Sequence, residues 1–484
     1  MEMTTRQTLT ILHTNDIHSH FGSMPSIAAM INERRAALGD ALLVLDIGDH
    51  MDRMAPETEG TLGGANVDVI NLTGYDAITI GNNEGLTFTP DMIEQAYAGI
   101  HCPVVCGNIT ERATRMIPSW MKESLILNKA GIKIGLLGVT APFAEFYQLL
   151  GWDVLDPFEV LGKQIAAIRK QVDVVVVMSH LGLPSDEQLA SQFPEIDVIL
   201  GGHTHHVLEE PLRIGNSVLC GAGKFGTLLG EVTLTRNHSL EPFRVTSGGV
   251  VPVDQTLLDE KVASAILLHR KQAERAMEST VAVTDRELAI AYNQESPFGN
   301  LLAQSVSHFT GTQIALVNAG QLLGPLPQGD ISKGILHSLC PSPINPCVMK
   351  LRGRDIRLAL EQSLLPEFTD KPMTGFGFRG KVLGTMCVEG LTIQYDPDHA
   401  PYDKVTDIRV AGQSLEDDEE YIVGTLDMFT FKAGYKVLAN GTVLRFMLPE
   451  FLRDLIEMEL KRPGAMKECF AARWLQVSKQ SGED

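Results

Sequence analysis

The chain has 484 residues, a length that favours two or three domains, and its 44% hydrophobic and 21% charged residues leave no compositional case for disorder. A formal net charge of −20 disfavours a nucleic acid polymer or an anionic membrane as partner, since either needs a basic face, and a phosphate-bearing substrate would require locally placed cations. No stretch approaches the ~18 apolar residues of a membrane-spanning helix. The seven cysteines, odd in number and thinly spread, read as free thiols of a reducing compartment, and the N-terminus enters a strand-like run within a few residues, so we expect a cytoplasmic protein.

The first half repeats one pattern: a short run rich in Val, Ile and Leu, a polar cluster, then helical periodicity. The runs are "TLTILHTND" (8–16), "ALLVLDIGD" (41–49), "DAITIGNN" (76–83), "DVVVVMSH" (173–180) and "DVILGGHTH" (197–205). Runs this apolar fit strands covered on both faces, with "IAAMINERRAALG" (27–39) and "VLGKQIAAIRKQ" (160–171) as covering helices, which makes the fold class α/β. The cysteines of "CPVVCGN", Cys102 and Cys106, are spaced to be ligands but read as part of a half-buried strand, as do Cys340 and Cys347. From about 207 to 250 the pattern turns strand-like with glycine turns, suggesting antiparallel hairpins. Residues 255–279 carry apolar residues at helical spacing without Pro or Gly and read as a long connecting helix. Beyond it, "TQIALVNAG", "LRGRDIRLALEQSL", "VEGLTIQYDPD" and "EEYIVGTLD" alternate strands and helices in a second domain.

Each of the five runs delivers metal-capable side chains at its carboxyl end: Asp16 and His18, Asp49, Asn82, His180, and His203 with His205. In open α/β sheets such ends converge on one crevice, and residues two apart on an extended chain point the same way, so Asp16/His18 and His203/His205 can each act as a pair. Any one of these residues, taken alone, is ordinarily a helix cap or a satisfied polar group; five coincidences at strand ends reverse that reading. Seven N and O donors are too many for one tetrahedral ion and suit two ions sharing a bridge, for which Asp49 is the natural choice.

The segments "DIH" (16–18), "GDHMD" (48–52), "GNNE" (81–84), "SH" (179–180) and "GGHTH" (201–205) resemble the five blocks of the calcineurin-like metallophosphoesterases, in order and in strand context. The second half, through "SPFGNLLAQSV", "IALVNAG", "LRGRDIRLALEQSL" and "YIVGTL", resembles the carboxy-terminal domain of the 5′-nucleotidase family. The resemblance implies a metallophosphoesterase sandwich of mixed sheets flanked by helices over 1–254, a linker helix over 255–280 carrying a hinge, and a second α/β, substrate-binding domain over 281–484. It further implies two divalent ions, one held by Asp16, His18 and His205, the other by Asn82, His180 and His203, with Asp49 bridging. Mn, Zn, Fe and Co all suit such ligands. A hydroxide between the ions would attack phosphorus in line.

The sequence departs from the family where catalysis is finished. After the ligand Asn the family usually has a His, paired with an Asp, that helps protonate the leaving oxygen; here Asn83 and Leu86 stand at those positions. An amide cannot deliver a proton at neutral pH, and general acid catalysis contributes about 10²–10⁴ in rate. We therefore place Asn83 at the catalytic position and expect a bias toward phosphoanhydrides or activated esters, Glu84 being the alternative proton source. In the second domain, "NAGQLL" (318–323) keeps Asn318 and Gly320 of the family's substrate segment but has Leu323 for its phosphate-gripping Arg, and Ala433 replaces the Asp that would hold the ribose. Phe429 or Phe431 can stack a base, and Arg352, Arg354 or Arg379 can replace the lost cation. The expected function is dinuclear-metal hydrolysis of a small-molecule phosphate, a nucleotide-type ester or anhydride. The alternatives are a nucleotide-sugar or dinucleotide diphosphatase, a cyclic phosphodiesterase, or a nucleotide-binding protein without turnover; a nuclease does not fit the acidic balance.

Overall fold

The computed structural model describes residues 6–238 and 241–477. All five apolar runs form strands: β1 (Gln7–Thr14), β2 (Leu42–Asp46), β3 (Ala77–Ile78), β8 (Val174–His180) and β9 (Val198–Gly201). Between and after them come β4 (Val104–Val105), β5 (Met121–Lys122), β6 (Ser124–Lys129), β7 (Ile132–Thr140), β10 (Leu212–Ile214), β11 (Ser217–Cys220), β12 (Leu228–Arg236) and β13 (Arg244–Pro252).

The five runs do not share one sheet. A seven-stranded sheet has the order β13-β12-β1-β2-β3-β4-β5, and a six-stranded sheet the order β10-β11-β9-β8-β7-β6. Within each, the site-bearing strands run parallel: β1 beside β2 and β2 beside β3 in the first, β8 beside β9 in the second, with β7 parallel to β8 on its other side. The expected antiparallel hairpins are there as β10–β11 and β12–β13, although β11 also pairs in parallel with β9.

Side-chain alternation explains the layering. Along β8, Val174, Val176 and Met178 join Leu9, Ile11, Leu43 and Leu45 in the core between the sheets. Val175 and Val177 point the other way, onto Leu161 and Ile165 of the helix Pro157–Ile168 and Leu189 of the helix Leu183–Gln192. A strand covered on both faces has no polar face, which is why β8 reads as an unbroken run of valines. The result is a sandwich of two mixed sheets flanked by helices.

The chain divides into two compact units, 1–274 and 275–484, and the helix Glu260–Met277 lies mostly in the first. There His269 Nε2 lies 2.7 Å from Asp68, Arg270 bonds Glu57 at 2.7 Å, and Gly60 leaves room for Ala273. The second unit is built on a five-stranded sheet whose strands are β14 (Ile314–Asn318), β15 (Pro346–Arg352), β16 (Met386–Glu389), β17 (Glu420–Leu426) and β18 (Thr442–Phe446), in the order β16-β14-β17-β15-β18. The helix Pro297–Thr310 is buried over most of its length. All seven cysteines are free. Among the described residues no helix is long and apolar enough to cross a membrane.

Candidate metal centre

The polar residues that follow β1, β2, β3, β8 and β9 meet at one end of the sandwich, in loops that leave regular conformation abruptly. Asp16, His18, Asp49, His203 and His205 have φ of 51°, 47°, 51°, 72° and 55°. Left-handed backbone is unfavourable for residues with a side chain and persists where the surroundings fix it. Here the loops are stitched to each other: Asp16 N–H donates to Gly48 O at 3.0 Å, His18 N–H to Asp49 O at 2.8 Å, and Gly202 N–H to Ser179 O at 2.9 Å. Buried Glu84 clasps two of them, accepting from the backbone of Asp49 and Gly81 on one oxygen and Met51 on the other. Gly48 and Gly81 allow the approach, because a Cβ on Gly81 would lie 2.0 Å from Asp49 Oδ1 and one on Gly48 2.4 Å from Gly81 N.

The side chains so placed converge. His18 Nε2 and His205 Nε2 are 3.1 Å apart, and Asp16 Oδ1 lies 3.8 Å from the first and 3.4 Å from the second. On the other side, His180 Nε2 lies 3.3 Å from Asp49 Oδ1 and 3.9 Å from Asp16 Oδ1. Asp49 faces both groups, since its Oδ2 is 3.8 Å from His18 Nε2. Asp16, His18 and His205 form one candidate metal-binding group and Asp16, Asp49 and His180 another. His203 and Asn82 join them as a pair, His203 Nδ1 lying 2.7 Å from Asn82 Oδ1.

This donor set fits a cation better than it fits itself. His180 Nε2 is buried and has no hydrogen-bond partner, an expensive state for a polar atom. Its other nitrogen, Nδ1, is 2.8 Å from Ile47 O, which fixes a proton there and makes Nε2, facing the carboxylates, the nitrogen that would bind an ion. Two imidazole nitrogens 3.1 Å apart can share only one proton. The electrostatics agree. Burial opposes charge on His180, but Asp49 and Asp16 raise its pKa to about 10, so they hold on Nε2 a proton that an incoming ion would displace. Burial likewise opposes ionisation of Asp16 and Asp49, yet the surrounding imidazoles hold both carboxyls below their usual range. His203, desolvated and beside His180, is lowered to about 4 and is neutral, as a ligand must be.

Asn83, at the family's general-acid position, places its Nδ2 2.8 Å from His18 Nδ1, while its backbone N–H donates to Asp49 Oδ1 at 2.7 Å. An amide serves either tautomer of that ring by a half-turn. Glu84, the alternative proton source, is pushed up to about 7 by burial and by Asp49, but both its oxygens are occupied by backbone donors. Three neighbours carry no signal of their own in the sequence. Asp52, inside "GDHMD", has an oxygen 3.6 Å from His18 Nδ1; Asn15 donates to Asp16 Oδ2 at 2.7 Å; and Phe225 sets its ring 5.9 Å from that of His18.

In the second unit the substrate-binding candidates separate. Asn318 is buried, donates to Leu383 O at 2.6 Å and accepts from Gln321 at 2.9 Å. Gly320 packs so closely that a Cβ would meet Val382 O at 2.0 Å, and Phe429 is fully buried. Phe431 is 41% exposed and stacks at 6.2 Å on Phe376, itself 56% exposed. Arg352 pairs in register with Glu420, at the end of the sheet opposite Leu426 and the loop that carries Phe431. Arg379 lies three residues from Phe376, and its backbone N–H donates to Ser342 Oγ at 3.1 Å.

A two-sheet α/β sandwich that gathers carboxylates and imidazoles at the ends of parallel strands defines a class, the metal-dependent hydrolases of phosphoric esters. Comparison with known proteins agrees: residues 9–207 match the calcineurin-like phosphoesterases, and residues 275–440 match the 5′-nucleotidase C-terminal domain. The uncharacterised metallophosphoesterase YunD of Bacillus subtilis (strain 168) is 34% identical over 460 residues, covering 94% of this chain and 99% of YunD. The chain therefore belongs to the calcineurin-like phosphoesterase family, in the form that carries a 5′-nucleotidase carboxy-terminal domain. In fold it is similar to a 5′-nucleotidase precursor of Thermus thermophilus (TM-score 0.59, 22% identity, 98% of this chain and 100% of that one). It is also similar to the NAD nucleotidase of Haemophilus influenzae (TM-score 0.69, 15% identity, 98% of each chain).

Proposed function

We propose that this chain hydrolyses small nucleotide-type phosphates with two divalent ions, one at Asp16, His18 and His205, the other at Asn82, His180 and His203, and with Asp49 shared. The observation that supports this most is Asp49 itself, whose two oxygens face His18 and His180 separately. Ions bound there would neutralise phosphoryl oxygens and activate water at neutral pH. The residues do the rest. Glu84 and the stitched loops keep the donors in place before substrate arrives, which limits reorganisation during the reaction. Asn83 orients His18 and hands no proton to the leaving group, so the site favours leaving groups that depart as anions: phosphates and activated alcohols. On the second unit, Phe431 with Phe376 is our candidate contact for a planar group of the substrate, and Arg379 for its charge.

The test is reconstitution with Mn or Zn, metal analysis, and comparison of kcat/KM on a nucleoside monophosphate, a nucleotide sugar and bis-p-nitrophenyl phosphate. Close to two ions per chain and a preference for the latter two substrates are expected. No bound metal would overturn the hydrolytic reading, and a clear preference for the monophosphate would overturn the leaving-group assignment.

A further inference from the structure

The segment Gly223–Gly226 connects β11 to β12, and it is tied to the candidate metal centre from both sides of Asp16. Asn15 Nδ2 donates to Gly223 O at 2.6 Å, and Phe225 N–H donates to Asp16 O at 2.8 Å. Phe225 is held at φ 65°, a left-handed conformation that a free loop residue with an aromatic side chain would relax. Its ring stacks on His20 at 3.8 Å and 9°, and stands edge-on to His18 at 5.9 Å. Lys224 lays its ammonium over the same ring, 4.6 Å from the centroid.

What sets this lysine apart is its place beside the candidate metal centre; among the described residues no carboxylate lies within ion-pair distance of it. An aromatic face steers a cation without neutralising it, so the charge remains available to a ligand. We propose that Lys224 is a specificity-determining residue that binds a second phosphate of the substrate, the one that leaves, and so selects phosphoanhydrides over monoesters.

This rests on the reading of the cluster as a phosphate hydrolase. In such a hydrolysis the water oxygen forms a bond to the attacked phosphorus, the bridging P–O bond breaks, and its electron pair departs with the leaving phosphate. The protons of the water are released to solvent. The leaving phosphate is a weak base and needs no proton in that step, which suits a site with Asn83 where an acid would stand. What it needs is a cation beside the charge it gains, and Lys224 is one ring removed from His18. A nucleoside monophosphate carries no second anion for Lys224 to hold.

The experiment compares wild type, Lys224→Ala and Lys224→Arg, each loaded with Mn, on UDP-glucose and on bis-p-nitrophenyl phosphate. Loss of one charge-assisted contact lowers the ratio of the two kcat/KM values by about 10- to 100-fold in Lys224→Ala, with most of the loss restored by arginine. Equal losses on both substrates, or none, would overturn the proposal. Binding is measured in parallel with methylenediphosphonate and methylphosphonate. Lys224→Ala is expected to weaken the diphosphonate by the same factor and the phosphonate by less; an unchanged diphosphonate affinity also overturns the proposal. Wild type that binds both phosphonates but turns over neither substrate refutes hydrolysis, and the binding comparison still decides the subsite.

Discussion

At the end of the sandwich, Asp16, His18, Asp49, His203 and His205 adopt left-handed backbone, and His180 Nε2 is buried without a partner. At one end of the five-stranded sheet, Asn318 has extended backbone and both donates and accepts within its own unit, and Phe429 is simply core. Both groups of residues follow strands, and both match family segments. They differ in what surrounds the strain: in the first, left-handed residues and an unpartnered imidazole nitrogen lie within one cluster of possible metal ligands, whereas the second has left-handed Phe376 and Lys432 and the unpartnered Gln321 Oε1 with no such cluster among the described residues. In the second, exposure sets the stacked pair Phe431 and Phe376 apart from the buried Asn318 and Phe429.

The sharpest way to break this contrast is Asp49→Asn. It keeps the shape but removes the carboxylate that faces both donor groups. Several kcal/mol of charge stabilisation depend on a metal site of this kind, so kcat/KM should fall about 10³-fold or more, with metal analysis showing less than the wild-type content. Undiminished activity would mean that the cluster is structural.

Next comes a buried acid outside the candidate metal site. Asp427, just after β17, is raised to about 7 by burial and accepts backbone N–H bonds. Its folded pKa lies above its unfolded value near 4, so its contribution to stability is complete below about pH 4 and is lost as pH rises through 7. Asp427→Asn does not titrate and should gain stability relative to wild type between pH 5 and 8, by up to about 4 kcal/mol. Calorimetry at both pH values checks this; a pH-independent difference contradicts it. A smaller effect follows for Asn83→Ala, which removes one polar neighbour of His18 Nδ1 and leaves Asp52 beside it. Loss of an outer partner of a ligand typically costs about 10- to 100-fold in metal affinity or activity, and titration with Mn measures it.

The candidate metal centre was legible in the sequence because each donor sits at the end of an apolar run long enough to be read as a strand. The division into two sheets was not, since strands buried on both faces look alike whichever sheet they join. β7, "IKIGLLGVT", went unread because its polar end brings no metal-capable side chain and its two glycines dilute the pattern. Lys224 and Phe225 lie about 200 residues from Asp16 and meet it through the pairing of β1 with β12, a contact that no local spacing reveals. In the second unit the sequence offered Asn318 and Gly320 from a family-like segment and Phe429 or Phe431 as a stacking ring without choosing between them, because burial is a property of the packed sheet, and it sets Phe429 apart from Phe431.

The smallest expected effect tests that last distinction. The rings of Phe431 and Phe376 are 6.2 Å apart and inclined by 17°, a little closer than the roughly 7 Å that a flat group between them would need. Both rings are substantially exposed, and Phe376 sits at φ 54° between glycines with φ of 81° and 76°, a segment that can shift to admit a ligand. A contact of this type is worth about 0.5–1.5 kcal/mol beyond burial, so Phe431→Ala should raise KM for a nucleotide sugar about 3- to 10-fold. The same variant should leave KM for bis-p-nitrophenyl phosphate closer to wild type, provided the diester engages the metal centre without the second unit. If both values rise together, the stacked pair supports the loop and reads nothing. If only the nucleotide value rises, the second unit recognises its ligand through exposed rings, not through the buried asparagine that the family segment emphasises.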